Sequence, residues 1–512
     1  MVSGQIGILA AIVIYLAAMV YVGFYFSKQG SGDSADDFYL GGRKLGPLVT
    51  AMSAEASDMS SWLLMGLPGV AYLSGIADAG WTAIGLGIGT YLNWLIVAQR
   101  LRRYSVVCNA ITIPDFFSRR FHDQKNILMC ISAIIILIFF IPYTASGFKA
   151  IGTLFSSLFG ADYHVAMIVG AIVIVGYTVM GGFMAVSTTD LIQSVVMTIS
   201  LIIIVFYGIH MAGGWDEVVN NATSLAGYLS MNHIHDRAGG NAAPYSLLTI
   251  ISTVAWGLGY FGMPHILLRF MAIEDEKKLK LSRRVATIWV VISLFVAVFI
   301  GVIGYTMSKV GALEMLTGSN SETIIVKISA LLSQHGVIFA LLAGVILAGI
   351  LASTMSTSDS QLLAASSAVS SDILGAFRKD SSNKNGSMAA ARITLLVISV
   401  VAAFIARNPD SSVFAIVSFA WAGFGAAFGP VVLFSLFWKR TSKWGALAGM
   451  VCGGSMVFIW KYLIRPLGGI WNIYELLPAF LIACAAIVIV SLLTPKPSKE
   501  IEEEFDRVAQ MK

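Results

Sequence analysis

The stretch Ser53-Ala-Glu-Ala-Ser-Asp-Met-Ser-Ser-Trp62 decides the fold class, because it places two carboxylates and four serines inside an apolar run long enough to cross a bilayer. A charged side chain at mid-membrane costs at least about 2.5–3.5 kcal/mol, so Glu55 and Asp58 need a partner or a function there. Leu67-Pro68-Gly69 follows within two helical turns. We therefore predict an interrupted transmembrane helix, whose exposed carbonyls beside hydroxyls suit a small hard cation.

The composition extends this prediction to the whole chain of 512 residues, which is 57% hydrophobic and 12% charged, with a mean hydropathy of +0.81. A soluble protein of this size has too little interior for so many apolar side chains. We predict an all-α polytopic membrane protein rather than a barrel, because the apolar runs are long and lack strand alternation. The thirteen predicted spans lie near 5–27, 46–73, 77–100, 127–157, 163–182, 188–211, 247–271, 282–309, 323–372, 389–407, 412–438, 444–464 and 473–494. The ninth is too long for one span and predicts an added surface segment.

Basic residues predict the orientation of these spans. Alternate loops carry 25 of the 33 Lys and Arg residues, which places those loops in the cytoplasm. The prediction is a multi-pass protein of the plasma (inner) membrane with its N-terminus outside and a short cytoplasmic tail at 495–512. The net charge of +5 is spread over these loops, where it meets anionic lipid, and nothing indicates binding to nucleic acid. The oligomeric state stays open.

The seventh predicted span is interrupted as well, because Trp256-Gly-Leu-Gly-Tyr-Phe-Gly-Met-Pro264 contains three glycines and a proline. It starts five helices after the second span, and paired broken helices at equivalent positions of two halves are typical of inverted-repeat transporters. The alternative is that the glycines only allow close helix packing. One domain over 1–512 is predicted, with repeats at about 46–211 and 247–438.

Hydroxyl side chains share one face of the ninth span at Ser353, Ser356, Thr357 and Ser360. They suit a cation shell begun by carbonyls of a broken helix, although such residues also bond to their own helix or join neighbouring helices. Asp359 favours the cation interpretation, unless it lies near the cytoplasmic end and is hydrated. Trp62, Tyr143, Trp256 and Tyr260 are candidate walls for a small apolar or cationic substrate, or ordinary core and lipid-facing aromatics.

No enzyme signature is present in the sequence. Gly85-Leu-Gly-Ile-Gly89 lies within a span, outside the strand–turn–helix context of a nucleotide site, and there is no Walker-type lysine motif. We therefore expect transport driven by an ion gradient rather than by ATP.

Six blocks spread along the chain resemble the sodium/solute symporter family, and within it the sodium/proline symporters. They are Phe38–Pro47, Ser57–Gly69, Trp256–Gly262, Pro264-His265, Met355–Thr357 with Gln361–Leu363, and Trp421–Pro430. The resemblance implies a LeuT-type fold of two inverted five-helix repeats, with one helix before them and two after. It also implies sodium-coupled uptake of L-proline by alternating access.

The resemblance assigns roles to residues by position. Its sodium ion, the co-transported cofactor, takes the carbonyls of Ala56, Met59 and Ser353 and the hydroxyls of Ser356 and Thr357. Asp58 matches an acidic residue important for coupling, flanked by Ser57 and Ser60, and Asp190 matches a position linked to the ion path. The implied proline site contains Tyr143, Trp256, Tyr260 and Pro264, and Trp62 and Met263 are added as neighbours.

Five positions depart from the family pattern. Glu55 and Ser61 stand where glycine is typical, Met263 replaces a glutamine, Ser353 an alanine and Asp359 a serine. Because of Glu55, a different ion stoichiometry or coupling to protons is an alternative to the family pattern. Because of Met263, another substrate is an alternative to proline. The alternatives are therefore a sodium- or proton-coupled carrier of another small amino acid or carboxylate, an ion channel, or a transporter-like membrane sensor. The sensor is disfavoured because family sensors carry a cytoplasmic signalling domain.

Overall fold

The computed structural model describes residues 3–28, 39–374 and 384–511, and these residues form a helical bundle. The helices of the first half are α1 Ser3–Lys28, α2 Pro47–Asp58, α3 Leu67–Ser74, α4 Ile76–Leu92, α5 Ala98–Val107, α6 Ile113–Arg120, α7 Ile127–Phe159, α8 Tyr163–Met211 and α9 Trp215–Ser224. A 3₁₀ turn at Gly41–Arg43 precedes α2, and π-helical turns at Trp62–Gly66 and Asn93–Val97 lead into α3 and α5.

A small hairpin opens the second half, with β1 His233–Asp236 paired antiparallel to β2 Asn241–Pro244. The helices that follow are α10 Leu247–Val254, α11 Pro264–Ala272, α12 Leu279–Lys309, α13 Ile324–Leu332, α14 Val337–Ser367, α15 Lys384–Ile405, α16 Val413–Phe437, α17 Lys443–Ile459, α18 Leu476–Leu493 and α19 Lys499–Gln510. The 3₁₀ segments are Ala255–Gly262, Glu276–Lys278, Gly318–Thr323, Ser333–His335, Arg465–Leu467 and Gly469–Trp471, and further π turns lie at Ala368–Ile373 and Trp460–Ile464.

The predicted interruption of the second span lies between α2 and α3. Helix α2 ends at Asp58, and Met59 leaves helical geometry with φ −74° and ψ 67°. Serine and aspartate favour such an end because their side chains compete for backbone hydrogen bonds. The π turn before α3 accommodates Pro68, which has no N–H to donate to the preceding turn.

The predicted interruption of the seventh span lies between α10 and α11. The chain runs through the 3₁₀ segment Ala255–Gly262 and an extended Met263, and the two parts of the span meet at a bend of 47°. Pro264 begins α11 and forces the residue before it out of helical geometry. Both broken spans are therefore present at the positions that local sequence chemistry predicts.

The described residues include nine helices that are long and apolar enough to cross a bilayer. The bent pair Leu247–Gly262 with Pro264–Ala272 makes a tenth candidate. Three shorter apolar helices, Trp62–Ser74, Tyr163–Gly176 and Arg392–Ile405, overlap the second, fifth and tenth predicted runs. The prediction of a polytopic helical membrane protein is confirmed, and the count of thirteen spans stays a prediction.

Two predicted boundaries differ from the structure. The fifth and sixth spans join in α8 with no loop between them, because the chain kinks at Gly182, whose φ of 63° suits glycine. The long ninth run divides at Gly336 into the short helix α13 and the span α14.

The core is built around α14, which packs against α1, α2, α7 and α8. Helix α16 lies against the 3₁₀ segment of the seventh span, and α17 and α18 cover it. Segments that the basic residues mark as cytoplasmic meet at one end of the bundle. Leu45 pairs with Ile273, Arg103 bonds to Glu276, and Lys439 bonds to Asp506 of α19.

Candidate cation and substrate site

The break after α2 faces the hydroxyl-bearing side of α14. The Ser356 hydroxyl donates to the Ala56 carbonyl over 2.7 Å and lies 3.2 Å from the Ser353 carbonyl. The Thr357 hydroxyl donates to the same Ser353 carbonyl over 3.1 Å. Four of the five predicted sodium ligands therefore form one buried cluster of neutral oxygens, the kind of ligand that a hard cation prefers.

The fifth predicted ligand, Met59, is the residue at which α2 ends. Its carbonyl lies just beyond the last helical turn, where carbonyls have no partner within the helix. The alternative that hydroxyl side chains bond to their own helix holds for part of α14. The hydroxyls of Ser353 and Thr354 both donate to the Ile350 carbonyl. Ser356 differs from them, since it reaches across to α2.

Asp58 connects the two broken spans. Its Oδ2 accepts a hydrogen bond of 2.6 Å from the Tyr260 hydroxyl. Its backbone carbonyl accepts from the Tyr143 hydroxyl at 3.3 Å and from the Trp62 indole at 3.2 Å. Asp58, at the end of α2, therefore accepts hydrogen bonds from three of the four predicted aromatic site residues.

The fourth aromatic residue, Trp256, belongs to the same wall. Its ring centroid lies 6.3 Å from that of Trp62, and its carbonyl accepts from the Trp421 indole over 2.7 Å. Tyr474, in the segment between α17 and α18, stacks on Trp256 with centroids 5.0 Å apart and an interplanar angle of 18°. Trp256 is 5% exposed and Tyr260 1%, so this conformation is closed around the site.

The glycines of the seventh span have a packing role in addition to the break. A Cβ on Gly259 would lie 1.9 Å from Nε1 of Trp421, and one on Gly257 would lie 2.2 Å from the Gly85 carbonyl. The packing alternative therefore holds for these positions, while the interruption itself arises from the 3₁₀ segment and from Pro264. Met263, beside it, is buried.

Asp190 lies in a separate polar cluster around Arg269. Arg269 forms a buried ion pair with Asp190 at 3.3 Å and donates to Ser53 and Ser360 at 3.0 and 2.6 Å. Ser53 donates to Asp190 over 2.6 Å. Arg269 stands in the last turn of α11, and its side chain is only 1% exposed. The alternative that Asp359 is hydrated is wrong, since that residue is fully buried in α14.

The remaining predicted residues make local contacts. The Ser57 hydroxyl donates to the Ala54 carbonyl within α2, and Ser60 accepts from the Trp62 amide at 3.4 Å. Glu55 accepts a hydrogen bond of 2.7 Å from the Trp94 indole of the π turn after α4. These contacts place Glu55 toward α4, while Ala56 faces α14.

Sequence reasoning missed Trp94, Trp421 and Tyr474 as site residues, because they lie in or beside apolar runs. Trp421 alone carried a signal, since it begins the family block Trp421–Pro430. Arg269 could have been recognised as a candidate from the sequence, because an intramembrane charge normally needs a partner or a function. The identity of its partner could not, because Asp190 lies 79 residues away.

Comparison with known proteins identifies the family. The model of the sodium:solute symporter family matches residues 38–453. A sodium/proline symporter of Salmonella typhimurium is 42% identical over 494 residues, covering 96% of this chain and 94% of the relative. The osmoregulated proline transporter OpuE of Bacillus subtilis is 40% identical, covering 97% of this chain and 96% of the relative.

A solved structure of a Na⁺-coupled sialic acid symporter, in a substrate-bound outward-open state, has a similar fold. The TM-score is 0.78 at 20% identity, and the match covers 96% of this chain and 99% of that one. The likeness supports the LeuT-type fold class predicted from the paired broken spans. From the family model and the full-length relatives, the chain belongs to the sodium:solute symporter family.

Proposed function

We propose that this protein takes up L-proline together with sodium by alternating access. The relatives with about 40% identity are named for proline transport, and they match nearly the whole chain. The observation that carries the proposal is the bonded cluster of Ala56, Ser353, Ser356 and Thr357, because it joins a broken helix to the hydroxyl face of α14. We propose that sodium binds there, with the Met59 carbonyl as its fifth ligand.

Sodium links the two helices in this scheme. Bound between α2 and α14, it stabilises the arrangement in which the break is formed and the aromatic wall is in place. Each sodium ion that enters down a potential of 100 mV releases about 2.3 kcal/mol, which supports roughly 50-fold accumulation at one-to-one coupling. Asp58 couples the ion to the substrate, because its carboxylate holds Tyr260 of the wall.

The proposed substrate site lies between the two breaks. The pyrrolidine ring of proline packs on Trp256 and Tyr260, with Trp62 and Tyr143 beside them. Its carboxylate meets the N-terminus of α11, where the amide groups that follow Pro264 in the first turn have no carbonyl partner within the helix. Met263 lines the entrance to that helix. Ser57 and Ser60 shape the break, and Asp190 and Asp359 belong to the ion path toward the cytoplasm.

We propose that the cytoplasmic side is the end where Leu45, Ile273, Arg103, Lys439 and α19 meet. This places the C-terminus inside and the N-terminus outside the plasma membrane. The clustering of basic loops at that end supports the proposal. The two repeats are proposed at about 46–211 and 247–438, each beginning with a broken span.

Uptake into proteoliposomes tests the function. We expect labelled proline to accumulate under an inward sodium gradient and not under a potassium gradient. A panel of unlabelled amino acids and short carboxylates identifies the preferred substrate by competition. Accumulation that follows a proton gradient and ignores sodium would contradict sodium coupling. Stronger competition by another solute than by proline would contradict the substrate.

A further inference from the structure

Glu55 and Asp58 lie one turn apart on α2, and each carboxylate has one satisfied and one unsatisfied oxygen. Oε1 of Glu55 accepts from Trp94, and Oδ2 of Asp58 accepts from Tyr260. Oε2 of Glu55 and Oδ1 of Asp58 are buried and have no hydrogen-bond partner within the described residues. These two unpaired acceptor oxygens lie within one helical turn, and a positively charged ligand between them satisfies both.

The surroundings provide no such charge. Both side chains are 0% exposed, and no ion pair of the described residues includes either of them. Both also lie in the last turn of α2, where the helix dipole disfavours anions. An unpaired buried ion costs several kcal/mol. A single sodium ion at the Ala56–Ser356 cluster balances one carboxylate and leaves the other uncompensated.

The facing helix offers further oxygens. Asn93 donates through Nδ2 to the Tyr260 carbonyl at 3.0 Å, while its Oδ1 is buried with no partner in the described part of the chain. The Thr90 hydroxyl, one turn earlier, is likewise buried with no hydrogen-bond partner among the described residues. Trp94, which bonds to Glu55, directly follows Asn93. Acceptors from α2 and from the end of α4 thus flank the same tyrosine.

We propose that Glu55 and Asp58, with Asn93 and Thr90 opposite, bind a second sodium ion that is co-transported with the substrate. Carboxylate, amide and hydroxyl oxygens are the ligands that such a hard cation prefers. This proposal rests on the proposed sodium-coupled uptake of proline and adds to its stoichiometry. The site is distinct from the Ala56–Ser356 cluster, because Glu55 bonds toward α4 and Ala56 toward α14.

The test measures how many charges accompany each proline. Full-length protein in proteoliposomes is held at −100 mV with equal sodium and equal pH on both sides. The proline ratio at which net flux stops is then determined for the wild type and for E55Q. Glutamine keeps an acceptor for the Trp94 indole and removes the charge. E217Q, at an exposed position of helix α9, is the control for removal of a carboxylate.

One fewer cation lowers the limiting proline ratio about 50-fold at this potential. We expect that decrease in E55Q and no change in E217Q. E55D, which restores the carboxylate, is expected to recover part of the decrease. A wild-type ratio that corresponds to one charge per proline overturns the proposal without reference to any variant, and so does an equal ratio in the wild type and E55Q.

Two further conditions, both at zero potential, distinguish sodium from a proton. With a tenfold sodium gradient, two sodium ions give a limiting proline ratio of about 100-fold and one gives about tenfold. With a gradient of one pH unit, a second sodium ion adds nothing, and a gain of about tenfold would overturn the proposal because it would identify the second cation as a proton. If the wild type accumulates no proline under any sodium gradient, the proposed function itself has failed. If it accumulates proline with a single charge, only the second cation has failed.

Discussion

Ser356 donates a hydrogen bond of 2.7 Å to the carbonyl of Ala56, and this contact joins two residues that are 300 positions apart in the sequence. It fixes α14 against the end of α2, at the point where α2 stops being helical. The same hydroxyl lies beside the Ser353 carbonyl, so one side chain connects the oxygens of both helices. The candidate cation site is therefore an interface between two spans, and it depends on how closely they approach.

Replacing Ser356 by alanine should weaken sodium binding. Loss of one contact to a charged group costs about 1.5–3 kcal/mol, so we expect the sodium concentration for half-maximal uptake to rise about 10–150-fold. The matched control is T354V, because the Thr354 hydroxyl bonds only within α14, to Ile350. Equal sodium dependence in S356A and the wild type would remove Ser356 from the site.

Asp58 should be needed for coupling, whereas its tyrosine partner should affect affinity. D58N is expected to abolish sodium-driven uptake, because the asparagine removes the charge that faces Tyr260. Y260F removes the 2.6 Å hydrogen bond and keeps the ring, so we expect a severalfold higher KM for proline with sodium dependence retained. Sodium-dependent uptake at wild-type level in D58N would contradict the coupling role.

Tyr474 should contribute to the substrate wall although it lies outside the proposed repeats. Its ring stacks on Trp256, its hydroxyl donates to the Ser418 carbonyl, and its amide donates to the Ser252 hydroxyl. An aromatic pair contributes about 0.5–1.5 kcal/mol, so Y474A should raise the KM for proline about 2–12-fold. Y474F keeps the ring and should remain near the wild type. Equal KM values for the two variants would argue against stacking.

The buried pair of Arg269 and Asp190 should show strong coupling in stability. Removing one partner leaves an uncompensated charge and costs about 3–5 kcal/mol, so D190N and R269Q should each melt at a lower temperature in detergent. The melting temperature of the double variant should be higher than the value obtained by adding the two single decreases. Additive losses would show that the two charges act independently.

Gly259 should tolerate no side chain. A Cβ there would lie 1.9 Å from Nε1 of Trp421, whose indole also bonds to Trp256. G259A should therefore reduce thermal stability and proline uptake together. The control is G176A in α8, where a Cβ meets nothing within 4 Å and alanine favours the helix. Wild-type stability of G259A would mean that Trp421 moves without cost.

The breaks could be predicted from the sequence because their causes are local. Proline at 68 and 264 and the serines around Asp58 act on the backbone of their own segments. The proposed sodium ligands could be named only from the family resemblance, since a face of hydroxyls on α14 fits helix packing equally well. The environment of Arg269 could not be predicted, because its partners Ser53, Asp190 and Ser360 lie on three other helices.

The distance in sequence between Ala56 and Ser356 has a consequence for biosynthesis. A ribosome that adds about 5–20 residues per second needs roughly 15–60 seconds to reach Ser356 after it has made Ala56. During that interval Glu55 and Asp58 have been synthesised, but α14, which packs against their helix, has not. Trp94, only 39 residues after Glu55, supplies the first donor. The early helices must therefore wait at the translocon or in a hydrated, half-assembled state until the ninth span emerges.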